Sequence, residues 1–454
     1  MSNKVGFWAS DKKCLKINVS ELEDHLRVQG FQLIKIDLNA PLEPQGPFAA
    51  IIHKLADVMV RAQQSDKLAQ KQIQLFEDYV DKHPEVVILD PLENVRKLLD
   101  RYRQYKLIDD SELAREDGVF TPTFVELTTS DVNENLQKLR AASVSFPFVC
   151  KPLVAHGSSY AHQMSLIFGT SGLKTISPPC VAQTFINHNA RLFKLFLIKD
   201  QYFVIERPSL KNFKRGDTDC EPVFFDSHDI SKPTSCCALT ELDRKDQTCE
   251  TRDPEKARLD RIVKVVSDKL GLTLLGIDVI IDNKTGRYAI IDMNAFPGYD
   301  GVDSFLQILC DITVEEIDKK RKGMKGMAMT TEMSETNEIS ATTDTSDTQD
   351  ITCLPLQSVV TSDTERTTQS KPPVIVTRSE DKWTTKTSNG GTIDKTVIQS
   401  LPQNGTEFDS GIDTSDSCDE NKYKKQSVVK VVRRQHSRSF TLQTTSRTDD
   451  FNSI

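Results

Sequence analysis

The stretch LLGIDVIIDNKTGRYAIIDMNAFPGYDG, residues Leu274–Gly301, contains two β-rich runs, Leu274–Ile281 and Arg287–Met293. A polar turn signal at Asn283–Gly286 lies between them. Two such runs around a glycine-containing turn are typical of an antiparallel hairpin. The sequence therefore predicts a two-stranded hairpin in this part of the chain.

The predicted hairpin carries carboxylates on both of its strands. A short loop of odd length places Asp278 opposite Asp292, and Asn294 follows on the same face of the second strand. Two carboxylates that face each other among apolar residues repel, so that the pair requires a cation. Carboxylate and amide oxygens suit Mg²⁺ rather than zinc, and such Mg²⁺ is commonly shared with nucleotide phosphates. We therefore expect Asp278, Asp292 and Asn294 to ligate magnesium at an ATP site.

The bulk properties exclude several classes of partner. The 454 residues carry a net charge of −8, which argues against a protein whose overall field attracts nucleic acid or a membrane surface. The N-terminal residues contain no apolar signal segment and no long apolar run follows, so we expect a cytoplasmic protein without a membrane span. Access to the nucleus is compatible with this expectation. The ten cysteines lack C-x-x-C spacing and are expected to be reduced.

The first ~320 residues alternate strand-like and helix-like segments, which predicts an α/β architecture with a mainly parallel sheet in its N-terminal part. Leu92–Leu107 is predicted to be one helix, Phe120–Glu126 one strand, and Val302–Ile312 a closing helix. We expect four regions: an N-terminal substrate-side domain, a central subdomain, a C-terminal subdomain with the metal site, and a disordered tail rich in Ser and Thr. These regions span residues 1–111, 112–190, 191–320 and 321–454.

Lys151 ends the apolar run Phe146–Pro152 and is followed by a loop of small residues. A lysine at a strand end can reach nucleotide phosphates, and a small-residue loop lets backbone N–H groups approach them. No Walker A motif is present. Val181–Asn187 is either an ordinary core strand or a strand that leads into a hinge beside adenine. Further basic and imidazole groups surround the expected phosphates: Lys13, Lys54, Arg101, His162, Lys194, Arg207 and Lys211.

The order of these segments resembles the inositol 1,3,4-trisphosphate 5/6-kinase family, also called inositol-tetrakisphosphate 1-kinases. The resemblance runs from about Val5 to Ile312 and is carried by F-P-F-V-x-K-P, V-A-Q-x-F-I-N-H, R-P-S-L-K-N-F and the hairpin. It implies an ATP-grasp fold with a Rossmann-like N-terminal domain and two further α/β subdomains around the nucleotide. It also implies an enzyme that phosphorylates inositol 1,3,4-trisphosphate at the 5 or 6 hydroxyl and inositol 3,4,5,6-tetrakisphosphate at the 1 hydroxyl.

The resemblance also assigns roles to individual residues. The nucleotide contacts it implies are Arg101, Lys151, Gln183, Phe185, Lys194, Ser209, Ser227 and Ser231. The contacts with the inositol polyphosphate are Lys13, Lys54, His162, Lys194, Asn294 and Gly298. Catalytic roles fall on Lys151, His162 and Lys194, with ATP as co-substrate and two Mg²⁺ ions as cofactors. The loop before His162 is one residue longer than the family spacing, so His156 remains an alternative to His162.

Two other functions stay open at this stage. An ATP-grasp ligase shares the fold, but the many cations favour a polyphosphate over an acyl acceptor. A degenerate nucleotide-binding scaffold is disfavoured by the intact carboxylates and Lys151. We expect a monomer. The tail either carries a ubiquitin-ligase signal at Asp409–Thr414 (DSGIDT) and a kinase site at Arg433–Ser439 (RRQHSRS), or it is only a solvated linker.

Overall fold

The computed structural model describes residues 2–14, 16–157, 159–214, 216, 220–248, 251–339 and 430–433, with side chains omitted for 12, 325–339 and 430–433. Within these residues, no helix is both long enough and apolar enough to cross a bilayer. The predicted tail motifs at 409–414 and 434–439 lie outside the described residues.

The N-terminal region forms a parallel sheet flanked by helices. Its strands are β1 (Lys4–Trp8), β2 (Gln32–Lys35), β3 (Ala50–His53) and β4 (Val87–Leu89). They pair in the order β2-β1-β3-β4, which confirms the predicted parallel sheet. The helices are α1 (Asp11–Cys14), α2 (Val19–Val28), α3 (Ala56–Gln63) and α4 (Lys67–Lys82).

The single helix predicted at Leu92–Leu107 is wrong, because the chain forms two helices there. These are α5 (Leu92–Arg96) and α6 (Arg101–Asp109). Asp100 separates them, since its carboxylate accepts a hydrogen bond of 2.9 Å from the Arg103 backbone N–H and so caps a new helix.

Two further sheets follow, together with four helices. The strands are β5 (Val119–Phe120), β6 (Phe124–Leu127), β7 (Phe148–Pro152), β8 (Gln163–Ile167), β9 (Cys180–Thr184), β10 (Arg191–Ile198), β11 (Gln201–Pro208), β12 (Val223–Asp226), β13 (Leu274–Ile281), β14 (Tyr288–Ala295) and β15 (Lys430–Arg433). The helices are α7 (Val132–Ala141), α8 (Ser227–Ile230), α9 (Lys256–Leu270) and α10 (Phe305–Ile339).

The central sheet has the order β12-β8-β7-β9-β6 and is antiparallel. The C-terminal sheet has the order β15-β11-β10-β13-β14-β5 and is antiparallel except for the β14–β5 pair. The single strand predicted at Phe120–Glu126 is therefore wrong, because β5 and β6 belong to different sheets. Pro122 lies between them and, having no N–H, cannot donate to a ladder.

Helix α10 differs at both ends from the predicted Val302–Ile312, since it begins at Phe305 and extends to Ile339. It thus enters the segment that the sequence predicts to be disordered. Residues 340–429 and 434–454 of that segment lie outside the described residues, so the predicted disorder of the tail stays a prediction there.

The N-terminal and C-terminal sheets share one continuous core. Buried side chains from both, among them Ile51, Leu195 and Val279, belong to the same cluster. Asp90 adds a polar connection, because its carboxylate accepts hydrogen bonds of 2.7 and 2.9 Å from the backbone N–H groups of Thr273 and Leu274 at the start of β13. The central sheet has separate cores on its two faces.

Candidate active site

One cleft of about 870 Å³ is lined by all three regions of the chain. The residues predicted to bind metal, nucleotide or substrate line it, with the exception of Arg101. Of the other cations expected near the phosphates, Arg207 lines the cleft, whereas Lys211 lies outside it and pairs with Asp243 at 2.9 Å. The cleft therefore brings together positions that are up to 285 residues apart in the sequence, from Lys13 to Gly298.

The hairpin of β13 and β14 places Asp278 opposite Asp292, which confirms the predicted pairing. The turn differs from the expected one, because Ile281 pairs with Tyr288 and the loop between them has an even number of residues. The register then shifts beside Asp278. Ile291 is the extra residue of this β-bulge, and it restores the pairing that the observed turn alone would have displaced. Ile291 and Asp292 consequently both line the cleft.

The hairpin carboxylates are buried and differ in their partners. Lys194 Nζ lies 2.7 Å from Asp278 Oδ2, and the Asn294 side chain donates to Asp292 Oδ2 at 3.1 Å. Asp292 Oδ1 is buried and has no hydrogen-bond partner, although Arg101 Nε lies 3.9 Å away.

The two carboxylates also have opposite pKa shifts. Burial raises the pKa of Asp278, although Lys194 opposes this. Burial acts in the same direction on Asp292, but Arg101 and Lys151 outweigh it and lower its pKa. Asp292 is therefore favoured as an anion, whereas the charge of Asp278 is penalised.

These oxygens fit a hard cation. An orphaned, buried carboxylate oxygen beside a second carboxylate and an amide is a donor set typical of Mg²⁺. The described residues contain no group of three or more His, Cys, Asp or Glu side chains that could hold a metal. A metal at this hairpin would accordingly use Asn294 as well as Asp278 and Asp292.

Lys151 is buried at the end of β7, where its ammonium group has three acceptors. Nζ donates to Tyr105 Oη at 2.9 Å, to Gln183 Oε1 at 2.8 Å and to the Ile291 carbonyl at 2.9 Å. The bulge makes the last contact possible, because it releases this carbonyl from the ladder. Burial lowers the pKa of Lys151 to about 8, although Asp292 opposes the shift.

Arg101 lies behind the cleft wall rather than on it. Its guanidinium donates to the carbonyls of Pro152 at 2.7 Å, Val154 at 2.9 Å and Ala161 at 2.9 Å. It thereby holds both ends of the loop that follows β7. The predicted direct contact with a nucleotide stays a prediction, whereas the structure assigns Arg101 a role in positioning this loop.

The remaining residues predicted to bind nucleotide surround an apolar part of the cleft. Phe185 packs in a cluster with Val149 and Leu210. Ser209 Oγ lies 2.7 Å from His188 Nε2, and His188 Nδ1 lies 2.6 Å from the Ile186 carbonyl. The side chains that form apolar walls suited to a planar ring are Val149, Met164, Phe185, Leu192, Ile280 and Ile291.

Ser227 and Ser231 lie at the two ends of α8, on the rim of the same cleft. Sequence reasoning could not find them without the resemblance, because neither belongs to a motif with its own chemical meaning.

The N-terminal region contributes two lysines predicted to bind substrate. Lys13 forms an ion pair of 2.6 Å with Asp57, a residue that the sequence analysis missed. Lys54 Nζ donates to the Pro297 carbonyl at 3.1 Å, beside the predicted Gly298, and lies 4.3 Å from the centroid of the Phe296 ring. Burial, followed by the charge of Lys13, lowers the pKa of Lys54 to about 7.

Both candidate histidines line the cleft. Burial is the main cause that lowers the pKa of each, His156 and His162, to about 4. His156 Nε2 is buried without a hydrogen-bond partner, whereas the His162 ring stacks on His228. The structure therefore keeps both residues as candidates. His228 was missed because its stacking partner is distant in the sequence.

The chain is similar to a known family along most of its described length. The family model of the inositol 1,3,4-trisphosphate 5/6-kinase ATP-grasp domain matches residues 113–315, and that of the pre-ATP-grasp domain matches residues 4–95.

Curated relatives agree with the family models. The inositol-tetrakisphosphate 1-kinase of Danio rerio is 45% identical over 307 residues, which cover 67% of this chain and 77% of the relative. That of Xenopus laevis is 45% identical over 303 residues, or 66% and 76% of the two chains. Inositol-tetrakisphosphate 1-kinase 3 of Oryza sativa subsp. japonica is 31% identical and covers 70% and 84%.

Among solved structures, the D-alanine–D-alanine ligase from Bacillus anthracis complexed with ATP matches with a TM-score of 0.43 and 14% identity, over 71% of this chain and 99% of that one. The family models and the curated relatives decide the assignment. Together with the hairpin and its cleft, they show that the chain has the ATP-grasp fold and belongs to the inositol 1,3,4-trisphosphate 5/6-kinase family.

Proposed function

We propose that this chain is an ATP- and Mg²⁺-dependent inositol polyphosphate kinase. It phosphorylates inositol 1,3,4-trisphosphate at the 5 or 6 hydroxyl and inositol 3,4,5,6-tetrakisphosphate at the 1 hydroxyl. The observation that carries the proposal is that the carboxylate hairpin and cations from all three regions line one cleft. The relatives' names supply the substrate class.

Asp278, Asp292 and Asn294 would hold the magnesium, with two ions expected. Bound there, the metal would offset the negative charge of the ATP phosphates. The unpaired Asp292 Oδ1 supports this assignment, because a buried carboxylate oxygen without a partner is costly.

The side chains of the cleft position the two substrates. Lys151 offers its ammonium group to the ATP phosphates from the end of β7, and Arg101 fixes the loop beside them. Lys13, Lys54 and Lys194, together with a histidine, hold the phosphates already present on the inositol ring. Their arrangement decides which ring hydroxyl faces ATP.

The reaction needs no dedicated general base on this chain. The ring oxygen bonds to the γ-phosphorus as the bond to the ADP oxygen breaks, and the hydroxyl proton passes to solvent. Phosphoryl transfer of this kind depends chiefly on positioning and on charge compensation. Lys194 and Lys151 supply positioning and charge compensation, because each ammonium group is held by neighbouring acceptors within the cleft.

The active form in this proposal is a monomer. The cytoplasm is the expected compartment. The tail is expected to serve regulation by kinases or a ubiquitin ligase, and it takes no part in the catalytic proposal.

The test is a panel of inositol phosphate isomers with Mg²⁺ and ATP, with products resolved by ring position. We expect turnover of the two substrates named above, and the Asp292→Ala variant should lose it. Asp200→Ala is a matched control, because Asp200 is exposed in the turn between β10 and β11. Turnover by Asp292→Ala at the wild-type rate would remove the metal assignment, whereas no turnover of any isomer by the wild type would remove the proposed activity.

A further inference from the structure

Two histidines from distant parts of the chain stack on each other at the rim of the cleft. His162 ends a short 3₁₀ helix, Ser159–His162, and His228 lies in α8. Their ring centroids are 3.7 Å apart with an interplanar angle of 28°. Both rings line the cleft, and His228 plays no part in the assignments above.

The backbone beneath His228 is fixed. The carboxylate of Asp226 accepts a hydrogen bond of 2.8 Å from the His228 backbone N–H. Ser227 Oγ lies 3.4 Å from His162 Nδ1, which connects the two elements a second time. The stack is thus a built feature of the cleft rim, in which each ring has a defined neighbour.

The charges around the stack favour neutral rings. Burial lowers the pKa of His162 to about 4, and His228 and Arg101 lower it further. Burial also lowers the pKa of His228; Asp226 opposes this, and the ammonium groups of Lys16 and Lys194 reinforce it. The other charged groups that face the pair are Asp229 for His228, and Asp226 and Asp292 for His162.

Two imidazoles that lie among lysines can hold an anion. A phosphate group favours the protonated form of each ring and then accepts charge-assisted hydrogen bonds. Across the part of the chain that the structure describes, no ring nitrogen of His228 has a hydrogen-bond partner, and neither has His162 Nε2. These nitrogens are therefore free to donate.

We propose that His228 contacts the inositol polyphosphate directly, and that His228 and His162 together hold one phosphate group of its ring. The proposal rests on the proposed function and adds a residue to its substrate site. Binding draws protons from solvent, because the imidazoles are neutral before the phosphate arrives and charged afterwards. Lys16 and Lys194 line the same cleft, and their charges reach His228.

The decisive variant is His228→Phe, because phenylalanine retains an aromatic ring for stacking but has no N–H. The measurement is calorimetric titration of full-length protein with inositol 1,3,4-trisphosphate at pH 7, in two buffers with different ionisation enthalpies. We expect the wild type to take up protons on binding. His228→Phe should bind about tenfold more weakly and take up fewer protons. The KM for ATP should change less than the affinity for the inositol phosphate.

His228→Gln removes both the stacking and the charge, and it should weaken binding at least as much. His83→Gln is the matched control, since His83 lies on the surface between Glu43 and Glu85 and outside the cleft. Wild-type affinity and proton uptake in His228→Phe would overturn the proposal and leave the stack with a packing role only. No binding or turnover of inositol phosphates by the wild type would instead indicate failure of the proposed function.

Discussion

Arg101 gives the sharpest test of how the cleft wall is built. Arg101 is 1% exposed, and its guanidinium group donates to three backbone carbonyls from the end of β7 to Ala161. Replacing it with methionine keeps an unbranched stem and removes every donor. The carbonyls of Pro152 and Ala161 are buried, whereas water can reach that of Val154.

The magnitude follows from those two buried carbonyls. A buried acceptor left without its donor costs about 1–3 kcal/mol, so Arg101→Met should lower the free energy of unfolding by about 2–6 kcal/mol. Typical domains are stable by about 5–15 kcal/mol, and the variant should still fold. Arg101→Lys should recover less than half of the loss, because a single ammonium group cannot replace a planar fork of donors.

The assay is urea unfolding, read as a shift of the midpoint at constant slope, together with the KM for ATP. We expect this KM to rise at least ~10-fold, since the loop beside the phosphates loses its anchor. Arg103→Met is the control, because Arg103 lies on the exposed side of the same helix. An unfolding free energy of Arg101→Met within ~0.5 kcal/mol of this control would refute the reasoning.

Three further predictions follow from the pKa shifts. In the absence of divalent metal at pH 7, Asp278→Asn should leave the thermal midpoint unchanged or raise it, because burial penalises the Asp278 charge. Asp292→Asn should lower the midpoint, because the neighbouring cations favour the Asp292 anion. Equal shifts of the two variants would contradict this assignment. The pKa of Lys54 is about 7, so kcat/KM for the inositol phosphate should fall as pH rises through 7, and Lys54→Gln should remove that component of the profile. His188 is buried with its pKa lowered from 6.5 to about 4, so it contributes stability above pH 6.5 that is lost as the pH falls towards 4; unfolding midpoints of His188→Gln should decline less steeply across this window.

The hairpin shows how far sequence reasoning reaches. Alternation and turn composition predicted both strands and the pairing of Asp278 with Asp292, and the structure confirms the pairing. The structure reaches this pairing differently from the prediction, because the observed turn offsets the register and the bulge at Ile291 restores it. No local propensity distinguishes a bulged residue from its neighbours. The contact between Lys151 and the Ile291 carbonyl was therefore beyond prediction.

Contacts between distant segments were missed for a related reason. His228 and Asp57 carry no pattern in the sequence, and their importance arises only when α8 meets the loop before β8 and when α3 meets Lys13. The predicted long helix failed at Asp100, whose capping side chain was a readable signal. The metal site stays a prediction from the charge and oxygen chemistry of single residues, whereas packing between elements required the structure.

The link between Asp90 and the start of β13 has a mechanical consequence. Together with the core that both sheets share, it joins the N-terminal region and the C-terminal sheet into one structural unit. The central sheet packs around its own cores, so we expect it to be the part that moves relative to this unit. Nucleotide exchange should then proceed by rotation of the central sheet, while the lysines of the N-terminal region and the carboxylates of the hairpin keep a fixed spacing. The spacing between these lysines and the hairpin carboxylates would thus survive each opening of the cleft, whereas the histidine contacts would form again on each closure.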